Sequence, residues 1–427
     1  MHTNPLLPIA NPTQSYWRSE PHRLDSHRST EQPPETCDVA IIGAGFSGVS
    51  VAYNLSSPSQ DSQDTPSIVL LEARQVCSGA TGRNGGHVKL KTTSILSIAE
   101  EHGLEAAEQF AALVRAQIDA LKEIVEREQL DCEFELRRSY DIFLHADEAR
   151  AMGAKWRECL RRGDKWTREH DFVGERFAER VTSVRGAKAA FKAVDDGRPG
   201  TLIHTGRGSI RAKKVVFATN AYTAGLLPQY QGVINPYRGT ASYLAPPKGA
   251  DPVFPHLSHT YNIEYGLEYP ATSTVDYLNP RPDGGVVVGG GRWLFQEPQE
   301  LWQNNIDDSA LIEPVLEAGY FEGYMQRVFR GWGSSGTELD KVWTGSAFEA
   351  SPAPFASFTT KDGMPHVGKV PQRENQWVIA AFNGAGMTQI LILGKAIADM
   401  VKKDKSFEDV DAVVPRLFQT TLKRMKT

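Results

Sequence analysis

Three glycines near the start of the chain, Gly43, Gly45 and Gly48, have the spacing of a phosphate-binding turn. They follow the apolar run 37–42, which is typical of a buried parallel strand. In such a turn the first glycine allows a tight bend, the second lets the backbone approach a pyrophosphate, and the third lets the next helix pack closely. The start of that helix offers unpaired N–H groups to the phosphates. The pattern predicts a dinucleotide site.

A second apolar run, 68–71, ends at Glu72, where a carboxylate can accept hydrogen bonds from both ribose hydroxyls. The alternative is an ordinary tight turn, which the full order of strand, glycines, helix, strand and acid disfavours. The residues of this part expected to contact the dinucleotide are Gly43, Gly45, Phe46, Ser47, Gly48, Glu72, Ala73 and Arg74.

Length and composition exclude several classes of protein. With 427 residues, 40% of them hydrophobic, the chain can bury the core of two lobes. The net charge of −5 makes a nucleic-acid partner a poor expectation. The sequence has neither an apolar run long enough to cross a bilayer nor a secretory signal pattern, so we expect a cytoplasmic protein without a membrane partner. The four cysteines lack paired spacing, which predicts reduced thiols and no metal site.

The remaining pattern alternates helices and strands. Helical spacing of apolar residues covers 99–130 and 147–162, and 134–144 is strand-like. A buried strand is predicted within 209–219. Aromatic-rich alternating segments between 237 and 344 favour a mostly antiparallel sheet.

Motifs at both ends of the chain resemble those of the FAD-dependent D-amino-acid oxidase superfamily. They are 78–87 (Ser-Gly-Ala-Thr-Gly-Arg-Asn-Gly-Gly-His), the strand 215–220, Asp-Gly-Met-Pro-His-Val-Gly at 362–368, and Phe-Asn-Gly-Ala-Gly-Met at 382–387. The Thr-Gly-Arg-Asn-Gly-Gly signature is most similar to gamma-glutamylputrescine oxidoreductases and their fungal relatives. The resemblance implies an α/β fold: a Rossmann-type, glutathione-reductase-like FAD-binding domain with an inserted, mostly antiparallel β substrate domain.

The resemblance also implies a division of the chain and a noncovalent FAD, since no cysteine stands where sarcosine oxidases link the flavin. We expect a surface arm at 1–36, FAD-binding segments at 37–95, 201–227 and 346–427, a helical and cap region at 96–200 that is shortened, and a substrate-binding β domain at 228–345. The further residues expected to contact FAD are Ala80, Thr81, Arg83, Asn84, Gly85, Gly86, Ala218, Thr219, Asn220, Asn383, Gly384, Ala385, Gly386 and Met387.

Individual roles follow from the resemblance, with structural alternatives. Arg83 either pairs with a phosphate or the flavin ring, or only braces its loop. His87 and Arg292 are candidate catalytic residues, although a single histidine is also commonly a hydrogen-bonded structural residue. A helix over 385–401 is expected to point its N-terminus at the pyrimidine edge of the flavin. Aromatic residues expected to line the cap, if they are not simply core, are Tyr243, Tyr261, Tyr265 and Tyr269.

Three departures from the family pattern bear on function. Only 192–200 stands where relatives build a helix and a strand that touches the adenine. The link between Trp343 and Asp362 carries no arginine to grip a substrate carboxylate, which favours an amine over an amino acid because an unpaired buried carboxylate is costly. Ala385 replaces a common histidine.

The leading hypothesis is an FAD-dependent oxidoreductase that oxidises the C–N bond of a small amine or amino-acid derivative by hydride transfer to flavin N5, with oxygen or an unknown acceptor. One alternative is a non-catalytic or degenerate flavoprotein that has lost part of its adenine site and pocket. Another is a nicotinamide dehydrogenase, which the C-terminal FAD motif disfavours.

Overall fold

A computed structural model describes residues 6–9, 12–57, 65–170, 200–249, 257–265, 275–291, 294, 298–346, 362–410 and 412–426. Its strands are β1 (Thr36–Ile42), β2 (Ile68–Leu71), β3 (Ser139–Phe143), β4 (Thr201–Thr205), β5 (Gly208–Phe217), β6 (Arg238–Ala245), β7 (Thr260–Glu264), β8 (Val275–Pro280), β9 (Val286–Gly289), β10 (Glu338–Ser346), β11 (His366–Lys369) and β12 (Gln376–Ala380). Its helices are α1 (Phe46–Ser56), α2 (Thr92–His102), α3 (Leu104–Arg127), α4 (Ala146–Arg162), α5 (Thr223–Leu226), α6 (Ile312–Glu317), α7 (Tyr324–Val328), α8 (Ile390–Lys403) and α9 (Leu422–Lys426).

The first sheet has the strand order β11-β12-β5-β1-β2. β1 pairs in parallel with β2 and β5, and β12 pairs in parallel with the second half of β5. The first half of β5 pairs with β4, which runs antiparallel to it, and β11 is antiparallel to β12. The parallel strands β1, β5 and β12 therefore end at the same edge, where binding sites form in sheets of this kind.

The second sheet has the order β10-β6-β9-β8-β7-β3. Every pair is antiparallel except β3 and β7. The predicted mostly antiparallel sheet is therefore confirmed. At one edge of this sheet lies β3. In the sequence it stands between helices α3 and α4, ahead of the other strands of the sheet.

Helices cover one face of the first sheet. Apolar residues of α1, α3 and α8 pack on β1 and β12 in one hydrophobic cluster. α1 and α8 approach so closely that a Cβ on Gly394 would lie 2.1 Å from the Ser50 Oγ. This contact fixes α8, and the turn before it, next to the glycine turn that begins α1.

The late helix starts later than predicted. The sequence predicted a helix from 385 to 401, but α8 begins at Ile390, after a short 3₁₀ turn over Gly386–Thr388. Gln389, directly before α8, has φ and ψ values of −142° and −31°, which are not those of an α-helix, so no helix runs through it from 385. The residues nearest the expected flavin edge therefore form a turn rather than the first turn of a long helix.

Part of the N-terminal arm is packed into the molecule, which differs from the predicted surface arm. Ser15 is fully buried. The Tyr16 ring stacks on Tyr243 with 4.0 Å between ring centroids, and the Trp17 indole N–H donates to the Asn84 carbonyl. These two aromatic side chains, together with Leu6 and Leu7, which pack against the core, give the arm enough apolar surface to bury.

The prediction about the shortened region falls on 192–199, which lie outside the described residues. Within the described part of the chain, β2 pairs with β1 alone, and Leu70 on β2 is 37% exposed. Among the same residues, no helix is both long and apolar enough to cross a membrane.

A carboxylate is buried in the second sheet. Asp276 on β8 is fully buried, and its Oδ2 accepts hydrogen bonds from the hydroxyls of Tyr320 and Tyr324 at 2.5 and 2.6 Å. Its Oδ1 accepts the Gly291 amide at 3.0 Å. Burial raises the pKa of Asp276 from 3.8 to about 6, although these hydrogen bonds act in the opposite direction.

We expect Asp276→Asn to change how stability depends on pH. A carboxyl with a raised pKa binds its proton more tightly in the folded state, so it stabilises the fold below about pH 4 and this contribution is lost as pH rises past about 6. The variant should therefore gain stability relative to the natural chain with rising pH, by about 3 kcal/mol in full. Urea unfolding between pH 4 and 7 gives the free energy of unfolding of both proteins. A difference between them that stays constant over this pH range would contradict the prediction.

Candidate active site

The glycine turn between β1 and α1 leaves no room for side chains. Gly43 has a φ of 111°, and a Cβ there would lie 2.5 Å from the Ala218 carbonyl oxygen. A Cβ on Gly48 would lie 1.7 Å from the Gly43 carbonyl oxygen. Both glycines are thus required by geometry, and the turn and the start of α1 have the compact form that a pyrophosphate-binding turn needs.

Glu72 lies beside this turn at the end of β2. Its Oε2 accepts the Ala44 amide at 3.1 Å, and its Oε1 accepts the Arg74 amide at 3.0 Å. A carboxylate held by two amides next to a glycine turn is placed as a ribose-binding acid is placed in dinucleotide folds.

The turn after β12 is conformationally strained. Ala381 and Asn383 have φ values of 63° and 49°, and Asn220, after β5, has a φ of 41°. The Asn220 Oδ1 accepts the Phe382 amide at 3.2 Å and so ties the ends of the two strands together. Residues other than glycine in the left-handed region cluster at binding sites, where the surrounding structure holds them.

The early and late turns meet at one cavity. Its lining also includes residues of the loop 80–87, here named the cofactor loop, and residues of the second sheet. Of the residues predicted to bind FAD, those that line the cavity are Gly45, Phe46, Ser47, Ala80, Thr81, Arg83, Asn84, Gly85, Ala218, Asn220, Asn383, Gly384, Ala385, Gly386 and Met387. The lining does not include Gly43, Gly48, Glu72, Ala73, Arg74, Gly86 or Thr219.

The guanidinium of Arg83 braces its loop. Its Nη1 lies 2.8 Å from the Asp308 Oδ2, 2.8 Å from the Thr13 Oγ1 and 3.1 Å from the Thr344 carbonyl oxygen. Arg74 also turns toward Asp308, at 3.5 Å, and donates to the Ser78 carbonyl. The contacts within the protein favour the bracing alternative for Arg83, which also lines the cavity.

His87 lines the cavity as a neutral imidazole. Its Nε2 lies 2.9 Å from the Leu278 carbonyl oxygen, and because a carbonyl only accepts, Nε2 carries the hydrogen and Nδ1 is the unprotonated nitrogen. Burial, and then the neighbouring charge of Lys89, lower the pKa of His87 well below its ordinary value. His87 is therefore a hydrogen-bond acceptor at neutral pH.

The tyrosines predicted to line the cap pack elsewhere. Tyr243 stacks on Tyr16, Tyr261 is fully buried beside Phe329, and the Tyr265 hydroxyl lies 3.1 Å from that of Tyr324. Tyr269 and the candidate catalytic residue Arg292 lie outside the described residues.

Sequence reasoning missed much of the cavity lining beyond the glycine turns and the cofactor loop, including four residues of what is here named the opposite wall: Lys89, Lys91, Asn262 and Tyr277. A signal was available for two of them. Lys89 and Lys91 follow His87 at intervals of two residues, which extended backbone places on one side, although Leu90 between them also lines the cavity. Tyr277 fits because its ring contacts Gly289 and Gly85, where any side chain would collide with it.

The polar groups of this opposite wall are held in place. The Lys89 Nζ donates to the Ser139 Oγ at 2.9 Å, and the Lys91 Nζ lies 2.8 Å from the Glu264 Oε1. The Asn262 Nδ2 donates to the Asp141 Oδ1 at 2.8 Å.

Two buried acceptors test whether the cavity suits a polar ligand. Asn262 and Gln389 line it and are 1% and 2% exposed. Among the described residues, neither the Asn262 Oδ1 nor the Gln389 Oε1 has a hydrogen-bond partner. Because buried oxygens are normally bonded, these two are open to donors supplied by a ligand or by water. Together with the glycine turns, they fit a flavin dinucleotide and a nitrogen-bearing substrate.

Comparison with known families identifies the chain. The model of the DAO family, described as FAD dependent oxidoreductase, matches residues 38–198 and 173–400. The chain belongs to this family. Its cofactor is FAD, held noncovalently, and it is an enzyme of the class that contains amine and amino-acid oxidases and dehydrogenases.

Individual relatives are distant. The gamma-glutamylputrescine oxidoreductase of Escherichia coli is 23% identical over an alignment 415 residues long, which covers 89% of this chain and 87% of that protein. The crystal structure of glycine oxidase from Geobacillus kaustophilus superposes with a TM-score of 0.57 at 17% identity, covering 91% of this chain and 99% of the other. L-amino acid deaminase from Proteus myxofaciens gives 0.58 at 14% identity, covering 95% and 97%. These structures confirm the predicted fold class.

In the part of the chain that the structure describes, no group of three histidine, cysteine or acidic side chains is placed to hold a metal ion. The four cysteines are free thiols, and none of them lines the cavity.

Proposed function

We propose that the enzyme oxidises the C–N bond of a small amine. The observation that carries the proposal is a pair of hydrogen-bond acceptors on residues that line the cavity, the His87 Nδ1 of the cofactor loop and the Asn262 Oδ1 of the opposite wall. Acceptors of this kind suit the N–H groups of a neutral amine. The absence of an arginine between Trp343 and Asp362 in the sequence favours an amine over an amino acid.

FAD would be held by the turn at Gly45, the cofactor loop and the turn at 383–387, with Glu72 at the ribose. When bound, FAD would accept a hydride from a C–H bond next to nitrogen, which leaves an iminium ion that loses its N–H proton to solvent as an imine and is hydrolysed by water. His87 would orient the amine by accepting a hydrogen bond from one of its N–H groups. The lowered pKa keeps this imidazole neutral. A neutral imidazole does not repel the substrate and can accept a hydrogen bond from it when it reacts as the free amine. The cytoplasmic location and the electron acceptor stay predictions.

The test is anaerobic reduction of the bound flavin. Polyamine derivatives, N-methyl amines, and D- and L-amino acids are mixed with the FAD-loaded protein, and bleaching of the visible flavin band is followed. We expect amines to bleach the flavin and amino acids to do so poorly. His87→Phe should slow bleaching about tenfold, the effect of losing one buried acceptor contact. Tyr261→Phe, which changes a core residue outside the cavity lining, is the matched control.

A degenerate flavoprotein is the competing function. It is favoured by β2, whose outer edge has no partner strand in the described ranges. In that case no amine would reduce the bound flavin, although dithionite would. Reduction by amino acids but not by amines would replace the proposed substrate class.

A further inference from the structure

Four consecutive carbonyl groups of the cofactor loop, those of Gly82–Gly85, are each bonded by a side chain from outside the loop. The Ser15 hydroxyl donates to the first, and the Trp343 indole N–H donates to the second at 2.9 Å. The Trp17 indole N–H donates to the third at 2.6 Å, and the Asn279 amide donates to the fourth at 2.6 Å. Each carbonyl in this stretch is therefore held in its direction by a donor that lies outside the loop.

The donors belong to three separate parts of the chain. Ser15 and Trp17 lie in the N-terminal arm, Asn279 on β8 and Trp343 on β10. Ser15, Asn279 and Trp343 are fully buried. The arm and two strands of the second sheet therefore all donate hydrogen bonds to a loop that follows β2 of the first sheet.

Orienting the carbonyls also orients the amides. In a planar trans peptide the N–H of the next residue points opposite to the C=O. The N–H groups of residues 83–86 therefore point away from the four donors. The Gly86 amide donates to the Asn84 Oδ1 at 2.7 Å, whereas Arg83, Asn84 and Gly85 line the cavity, so the amides of these three residues lie beside it. A row of oriented backbone N–H groups stabilises negative charge.

The arm that carries Trp17 is itself fixed. The Tyr16 ring stacks on Tyr243 with 4.0 Å between ring centroids, and the Arg18 guanidinium donates to the Val76 carbonyl at 2.9 Å. The guanidinium of Arg281 lies 5.4 Å from the centre of the Trp17 ring. The indole N–H is therefore held in one direction by contacts on both sides of it.

We propose that Trp17, with Ser15, is a positioning residue for the flavin. The two side chains hold the cofactor loop with its amides toward the isoalloxazine, where they stabilise the charge that the ring gains on reduction. The proposal concerns FAD binding and reduction, and it does not depend on the identity of the amine. A segment that precedes the glycine turn thereby becomes part of the cofactor site.

Trp17→Phe tests this proposal because it keeps an aromatic ring and removes the N–H. We expect the Kd for FAD to rise about fivefold to tenfold, since one buried carbonyl loses its donor. We also expect the midpoint potential of the bound flavin to become more negative, because misaligned amides stabilise the reduced form less. FAD titration and a dye-coupled reduction measure the two quantities without using a substrate.

Tyr16→Phe is the matched control, since it removes a hydroxyl from the same arm that bonds to Asp283 instead of the loop. It should leave both the Kd and the potential unchanged. Ser15→Ala supplies a second variant with a smaller change in volume, and it should shift both quantities in the same direction as Trp17→Phe. The proposal would be overturned if Trp17→Phe and Ser15→Ala had the same Kd and midpoint potential as the natural protein. It would also be overturned if Tyr16→Phe shifted both quantities as much as Trp17→Phe does.

Discussion

Replacing Asp308 by asparagine is expected to lower the free energy of unfolding by about 3–5 kcal/mol. Asp308 is 1% exposed and is the carboxylate at the centre of three guanidinium groups. The Arg83 Nη1 lies 2.8 Å from it, the Arg74 Nη1 lies 3.5 Å from it, and Arg238 bonds to its other oxygen. Asparagine keeps the shape but removes the charge that these buried cations require.

The electrostatic state of Arg83 supports this reasoning. Burial lowers the pKa of Arg83 to about 10, and Asp308 acts in the opposite direction by stabilising the cation. Without Asp308, two nearly fully buried cations, Arg83 at 4% and Arg238 at 1% exposure, would face each other. Removing one partner of a buried ion cluster leaves uncompensated charge, which costs more than the cluster itself contributes.

Urea unfolding of the FAD-free proteins measures the effect. Asp307→Asn is the control, because Asp307 is exposed and asparagine can still accept the Ser309 amide. Adding Arg238→Met to Asp308→Asn should recover part of the lost stability, since it removes one unpaired cation. A stability within 1 kcal/mol of the natural protein for Asp308→Asn alone would show that the cluster is not the electrostatic unit described here.

Gly48→Ala is expected to weaken FAD binding at least tenfold. The added Cβ would lie 1.7 Å from the Gly43 carbonyl oxygen, a distance that real structures do not contain, and the nearest atom is backbone. The start of α1 must therefore move away from the turn. Movement of this helix start withdraws the N–H groups that bind the pyrophosphate.

Quenching of flavin fluorescence on titration with the protein gives the Kd. Gly206→Ala is the control, because an added Cβ there meets no atom within 4 Å. It should bind FAD like the natural protein. Equal affinity in Gly48→Ala would mean that the first glycine turn is not where the phosphates bind.

Local patterns were sufficient to predict the elements that surround the cofactor. Gly43 and Gly48 were assigned their roles from spacing alone, and the structure shows that each is confined by backbone atoms. The end of β5, residues 215–217, was recognisable as a short apolar run followed by small residues. Such features depend on neighbours in sequence, so the sequence contains them directly.

The features that the sequence could not predict depend on contacts between distant residues. Nothing near Trp17 in the sequence indicates that it bonds to Asn84, because the arm and the loop meet only in the folded chain. Asn262 enters the cavity through the register of β7 with its neighbours, which a one-residue slip would reverse. The start of α8 was misplaced because the Gly-Ala-Gly sequence is compatible with both a helix and a turn.

The central claim is that the early turn at Gly45 and the late turn at 383–387 hold one FAD. The direct measurement is the visible spectrum of the purified protein titrated with FAD, followed by a count of flavin per chain after release. The account predicts a protein-bound flavin spectrum that saturates at one FAD per chain. A protein that stays colourless when FAD is supplied would contradict it.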